Sequence, residues 1–247
     1  MFTSILSSII IWSAVLIIAL RVVTNSGIQF SNNKYISELT CYKGTSSNYE
    51  TTKKDILCVF LLAFSFRIIV FLFSVVIIYM FNDNINSFGD ILEQYMKWDA
   101  NNYVRIATGG YTYYTEGENF TTLAFFPLYP WLMRIVNIIF RDLRVSGLLT
   151  SFALYSGACC FLYKLFSIDY SKSVAVRAIV YMSVFPHALF FGTLMNESML
   201  LFTSAATLYY IRKHKWYLVG IWGAAAALSR MLGILLAIPA AVEWLEH

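Results

Sequence analysis

Asp99 is the residue with the clearest chemical opportunity in the chain. It stands in Lys97-Trp98-Asp99-Ala100-Asn101-Asn102-Tyr103, followed by Gly109-Gly110-Tyr111 and by Ala124-Phe125-Phe126-Pro127-Leu128-Tyr129-Pro130, a polar and aromatic stretch between strongly apolar segments. A carboxylate held beside a tryptophan at a membrane edge can serve as a general base, taking the proton of an acceptor hydroxyl as that hydroxyl attacks an activated sugar. Proton transfer of this kind contributes roughly 10²–10⁴ in rate. A single displacement with inversion needs only this base, because a phosphate leaving group departs without an acid. The phosphate does need a cation, and Arg230, in Ser229-Arg230-Met231, is the candidate. Trp98, Tyr103 and Glu197 are expected to position substrate, the aromatic rings by stacking and the hydroxyl and carboxylate by hydrogen bonds. Each also has a plainer reading. Trp98 and the tyrosines (103, 111, 113 and 114) suit an aromatic belt at the headgroup level, with Asp90, Glu93 and Asp99 merely solvated. Arg230 can snorkel or pair with Glu197 or Asp99, and Glu197 can be an acid at a helix start.

These residues must be held by membrane helices. The chain is 59% hydrophobic and 13% charged, with a mean hydropathy of +0.64, whereas soluble domains carry about 25% charged residues. The expected fold is all-α, a polytopic transmembrane helical bundle. Five stretches are long enough to cross about 30 Å of hydrocarbon: 5–23, 56–81, 146–166, 175–195 and 217–242, with a shorter sixth at 198–211. Residues 125–140 open on two prolines and carry Arg134, which favours an interfacial helix over a span. Residues 1–54 read as an amino-terminal membrane helix with a polar cytoplasmic linker. Residues 55–247 read as the main membrane region, with an external loop at 82–124.

Lysine and arginine in short loops mark the cytoplasmic side. Arg21, Lys34, Lys43, Lys53 and Lys54 lie in 21–54, Lys164, Lys172 and Arg177 in the next inward turn, and Arg212, Lys213 and Lys215 in the last. The loop 82–124 carries six acidic residues against Lys97 and Arg105, so Asp99 and Glu197 fall together on the external face. Crossing the membrane with 125–140 would turn the 212–215 cluster outward, another argument for an interfacial helix. The net charge of +4 is thus a topology signal, and no basic aromatic stripe of the kind that binds nucleic acid is present.

The remaining singular residues carry less. Arg67 is an intramembrane charge without a motif around it, so a structural pairing is expected. Phe185-Pro186-His187 marks a kink, and His187 reads as packing instead of as a base or ligand. The cysteines have neither a disulfide framework nor metal-ligand spacing. Asn119-Phe120-Thr121 and Asn196-Glu197-Ser198 match the glycosylation sequon, a pattern too short to argue from.

Taken together, Trp98-Asp99-Ala100, Tyr103, Gly110-Tyr111, Ala124 through Pro130, Phe185-Pro186, Asn196-Glu197-Ser198 and Ser229-Arg230 resemble the PIG-V family, the GPI mannosyltransferase 2 proteins and their bacterial relatives. The resemblance runs from about Lys54 to the end. It implies a GT-C glycosyltransferase that moves mannose or another hexose from a polyprenyl- or dolichol-phosphate donor to a hydroxyl acceptor such as a glycolipid or glycan at the external or luminal face. By the family pattern Asp99 is the base. No cofactor is implied beyond the polyprenyl-phosphate mannose donor substrate, and a divalent metal is neither required nor forbidden. Family members are longer, so the resemblance implies a chain truncated at its carboxyl end. Compact loops rich in Asn, Ile and Tyr point to a bacterial relative in the cell membrane, or to the endoplasmic reticulum membrane if the source is eukaryotic. The rival readings are a multi-pass transporter or flippase, with Arg67 and Arg230 lining a polar path, and a non-catalytic membrane subunit.

Overall fold

In the computed structural model the described residues are 16, 51–82, 85–111 and 122–246. The chain divides into two units, residues 1–45 and 46–247, and every described residue except helical Leu16 belongs to the second. Apart from Leu16, the expected span at 5–23 lies outside the described residues, as do the linker lysines Lys34 and Lys43, Tyr113, Tyr114 and the sequon at Asn119.

α1 (Lys53–Phe81) starts on a reciprocal cap, in which Asp55 N–H donates to Thr52 Oγ1 and Thr52 N–H to Asp55 Oδ2. It is apolar on every side, as a membrane span must be. Beyond it come two short helices, α2 (Phe88–Gln94) and α3 (Ala100–Gly109), a 3₁₀ turn at Thr122–Ala124, and α4 (Leu128–Phe140). α5 (Leu143–Asp169) begins at Asp142, whose carboxylate accepts from the Arg144 and Val145 amides. It is the centre of the bundle, since 67% of its most apolar stretch is buried against 17% for α1, and it packs on α1, α4, α6 (Lys172–Val184) and α7 (Glu197–Arg212). α8 (Trp216–Ser229), a 3₁₀ segment at Met231–Leu236 and α9 (Ala237–Glu246) complete the described chain.

The expected kink at Phe185-Pro186 is a bend of 84° between α6 and the 3₁₀ segment Pro186–Gly192. Proline removes an amide donor and clashes with the preceding turn, and Arg67 bridges the two sides of the break. Its guanidinium, 1% exposed on α1, donates to the Ala188 and Ser183 carbonyls and lies 4.3 Å over the Tyr155 ring. Arg67 therefore serves the fold, as its lack of a motif indicated.

α4 is 13 residues long, about 20 Å by helical rise, too short for a 30 Å crossing. Tyr129, Pro130 and Met133 face inward, while Trp131, Ile135, Ile138 and Ile139 are exposed. This one-sided burial is the form expected of an interfacial helix. Arg134 turns its guanidinium back onto the carbonyls of Ile106, Ala107 and Thr108 and so closes the carboxyl end of α3.

The expected single span at 217–242 is replaced by a hairpin. α8 ends at Ser229, Arg230 is extended (φ −160°, ψ 147°), and the chain then returns, with Glu243 on α9 3.7 Å from His214 at the far end of α8. Gly233 sits so tightly on α8 that a Cβ there would lie 2.2 Å from the Ala226 carbonyl carbon. Apolarity alone could not reveal this, because both arms of the hairpin are apolar. The turn is set by Ser229, whose Oγ donates to Ala226 O, and by Asn196, whose Nδ2 donates to Ser229 O.

The two ends of the bundle differ in charge. At one, Lys172 pairs with Asp55 and Arg212 with Asp169 at 3.0 Å, close to the basic 212–215 turn. At the other stand Asp99, Glu197 and Arg230. Among the described residues, those grouped by the positive-inside count lie at the same ends of the bundle.

Candidate active site

Asp99 is the residue just before α3. Its backbone carbonyl takes the Asn102 and Tyr103 amides at 3.0 and 3.2 Å, but its carboxylate does not cap the helix. No described residue hydrogen-bonds or ion-pairs with that carboxylate. A carboxylate serving merely as a cap would be engaged with the first-turn amides; this one is free to accept a proton from elsewhere. It forms part of the wall between two cavities. One, of about 500 Å³, is lined by Trp98, Asp99, His187, Phe190, Met195 and Glu197. The other, of about 510 Å³, is lined by Asp99, Tyr103, Phe125, Phe126, Asn196 and Arg230, with Met231 and Leu232 at its side.

Trp98 holds Asp99 in place by an unusual backbone. Its φ of 53° lies in the left-handed region, which costs a bulky residue on the order of 1–3 kcal/mol and gathers at functional sites. The indole is 68% exposed and meets the Phe190 ring at 5.6 Å, so the strain is not repaid by burial. Tyr103 is buried on the inner side of α3, edge-on to Phe125 and Tyr129 at 5.1 and 5.2 Å. Burial, and then the Glu197 charge, push its phenol above the ordinary tyrosine range, with Arg230 and Asp99 also acting on it. It is a neutral hydroxyl donor placed among the three charges. Tyr111 donates to the Phe125 carbonyl at 2.5 Å, joining the Gly-Gly-Tyr element to the Phe-Phe-Pro element, and Gly110 makes that turn with φ at 78°.

Arg230 donates through Nη1 to Glu197 Oε1 at 2.8 Å, with side chains 41% and 28% exposed. The pairing anticipated as Arg230's plainer reading is thus present, and it leaves the guanidinium at the cavity edge with further donors available. Glu197 is the first residue of α7, and its Oε2 is buried with no hydrogen-bond partner among the described residues. The five residues singled out in the sequence therefore meet around the two cavities.

Two residues outside the candidate set also line the cavities. His187 lines the first cavity and stacks on Phe185 with ring centres 5.5 Å apart; its place beside a proline break was the available signal. Asn196 lines the second, and only its adjacency to Glu197 pointed to it. Among the described residues no group of three or more His, Cys, Asp or Glu side chains could hold a metal ion.

The family model for dolichyl-phosphate-mannose-protein mannosyltransferases matches residues 126–245. The match takes in Glu197 and Arg230 and begins after Asp99. No curated protein and no solved structure matches the chain. Among the described residues the fold is all-α, with helices long and apolar enough to cross a membrane, and the matched carboxyl-terminal part is similar to a membrane glycosyltransferase family of the GT-C type. The match supports a membrane-embedded, mannosyltransferase-like glycosyltransferase.

Proposed function

We propose that the protein transfers a hexose, mannose in the first instance, from a polyprenyl-phosphate donor to a hydroxyl of a glycolipid or glycan at the external face, as the PIG-V resemblance implies. The single observation that carries this reading is the unpartnered Asp99 carboxylate on a wall shared by two cavities. One chamber can take each substrate, and the base stands where they meet.

The donor belongs in the chamber that holds Arg230, where Met231 and Leu232 offer an apolar path for the lipid and the guanidinium faces the phosphate. The acceptor belongs on the Trp98 side, where rings and Glu197 can hold a polyhydroxyl ligand. Asp99 takes the proton of the acceptor hydroxyl, its oxygen bonds to the anomeric carbon from the face opposite the phosphate, and the carbon–oxygen bond to the phosphate breaks. The lipid phosphate leaves with the electron pair and one more negative charge, which Arg230 offsets. The anomeric configuration inverts in this single displacement. Tyr103 supplies a neutral donor beside the reacting centre.

Replacing Asp99 with Asn removes the basic oxygen at almost constant volume. Turnover of polyprenyl-phosphate mannose in membranes carrying the variant is expected to fall by roughly 10²–10⁴, with protein abundance unchanged. Turnover at the wild-type rate would overturn the assignment.

A further inference from the structure

Asn196 is 2% exposed, sits immediately before α7, and has one half of its amide in use. Nδ2 donates to the Ser229 carbonyl. A carbonyl only accepts, so this bond fixes which end of the amide is nitrogen and which is oxygen. Oδ1 is buried and meets no donor among the described residues. The Tyr103 hydroxyl shares a side-chain hydrogen-bond contact with Asn196, and Oδ1 is still left without a donor. A buried acceptor in this state costs free energy until a donor reaches it.

We infer that Asn196 Oδ1 accepts a hydrogen bond from one hydroxyl of the transferred sugar, and so reads the configuration of the hexose. The inference rests on the glycosyl-transfer function proposed above and adds a specificity-determining residue to it. The chemistry of the site narrows the ligand. An amide oxygen repels phosphate, and the phosphate already has Arg230 in the same cavity. A neutral O–H is the fitting donor. In a glycosyl phosphate the sugar ring is bonded directly to the phosphate oxygen, so a phosphate at Arg230 brings the ring hydroxyls into the chamber that Asn196 lines. The lock on Ser229, the residue preceding Arg230, makes the two recognitions geometrically dependent. The same asparagine that presents Oδ1 also fixes the turn from which the guanidinium projects.

The test is a set of donors instead of a single variant. Wild type and Asn196→Ala are assayed with polyprenyl-phosphate mannose and with its 2-, 3-, 4- and 6-deoxy analogues. One deoxy donor is expected to lower wild-type kcat/KM by about 10- to 100-fold, the range for a buried hydrogen bond left unmade. Asn196→Ala is expected to show a similar loss on the parent donor and almost no further loss on that one analogue, while losses on the other analogues add normally. Additive losses on all four analogues would overturn the inference and leave Asn196 a merely structural residue. Should the variant not fold, thermal stabilisation of the wild-type protein by the five donors decides the matter. A selective drop for one analogue supports the inference, and equal stabilisation by all five overturns it. Wild-type protein that turns over none of the five donors brings down the glycosyl-transfer function itself, which is a distinct result.

Discussion

At the scale of residues, the site is a contest between charges that neutralise one another and charges left available. Glu197 and Arg230 pair, yet both are partly exposed, and pairs of that kind contribute only about 0–1 kcal/mol to stability. A contact of that strength can give way to a phosphate, as the proposed donor site requires. Arg230→Gln is expected to leave the melting temperature within a few degrees of wild type while raising KM for the lipid-phosphate donor by at least about tenfold. Unchanged kinetics would remove Arg230 from the donor site. Asp99 could be picked out from the sequence because a carboxylate beside tryptophan, between apolar segments, is an unusual combination. Asn196 could not, because asparagine is common at helix starts and only three-dimensional packing shows that its oxygen lacks a donor.

At the scale of elements, the informative features are breaks. The bend at Pro186 was legible, since proline declares itself, whereas the reach of Arg67 from α1 to carbonyls on both sides of it was not. The hairpin at Arg230 was not legible. Its residues have the same apolarity as a continuous span, and the turn depends on a hydrogen bond from Asn196, a residue 33 positions earlier. The hairpin can be tested at Gly233, where any Cβ collides with the Ala226 backbone. Gly233→Ala is expected to destabilise the protein by about 1–3 kcal/mol, as overpacking does, and to lower both the yield of folded protein and the donor affinity, because Arg230 is displaced with the turn. A variant as stable and active as wild type would show that the two arms do not pack this closely. Arg134 teaches the same lesson in reverse: its charge looked like an obstacle to a span and proves to be the cap of α3.

At the scale of the whole molecule, the sequence conveyed the charge polarity of the bundle and the structure adds which loops meet. Lys172 with Asp55 and Arg212 with Asp169 tie one end, and the candidate site occupies the other. Sidedness is open to direct measurement. In a variant whose native cysteines are replaced by alanine, a cysteine introduced at exposed Asn101 is expected to react with an impermeant thiol reagent on intact cells. One at exposed Lys213 is expected to react only after permeabilisation. The opposite pattern would put the site in the cytoplasm. Helix lengths carry a further consequence. α1 and α5, at 29 and 27 residues, extend about 40 Å, whereas α6, α7 and α8, at 13, 16 and 14 residues, extend about 20–24 Å by helical rise. Tilting accommodates the long pair in a bilayer, whereas each helix of the short trio alone falls short of about 30 Å of hydrocarbon. Glu197 opens α7 and Arg230 follows the last residue of α8, so two of the three charges of the candidate site stand at the ends of the short helices.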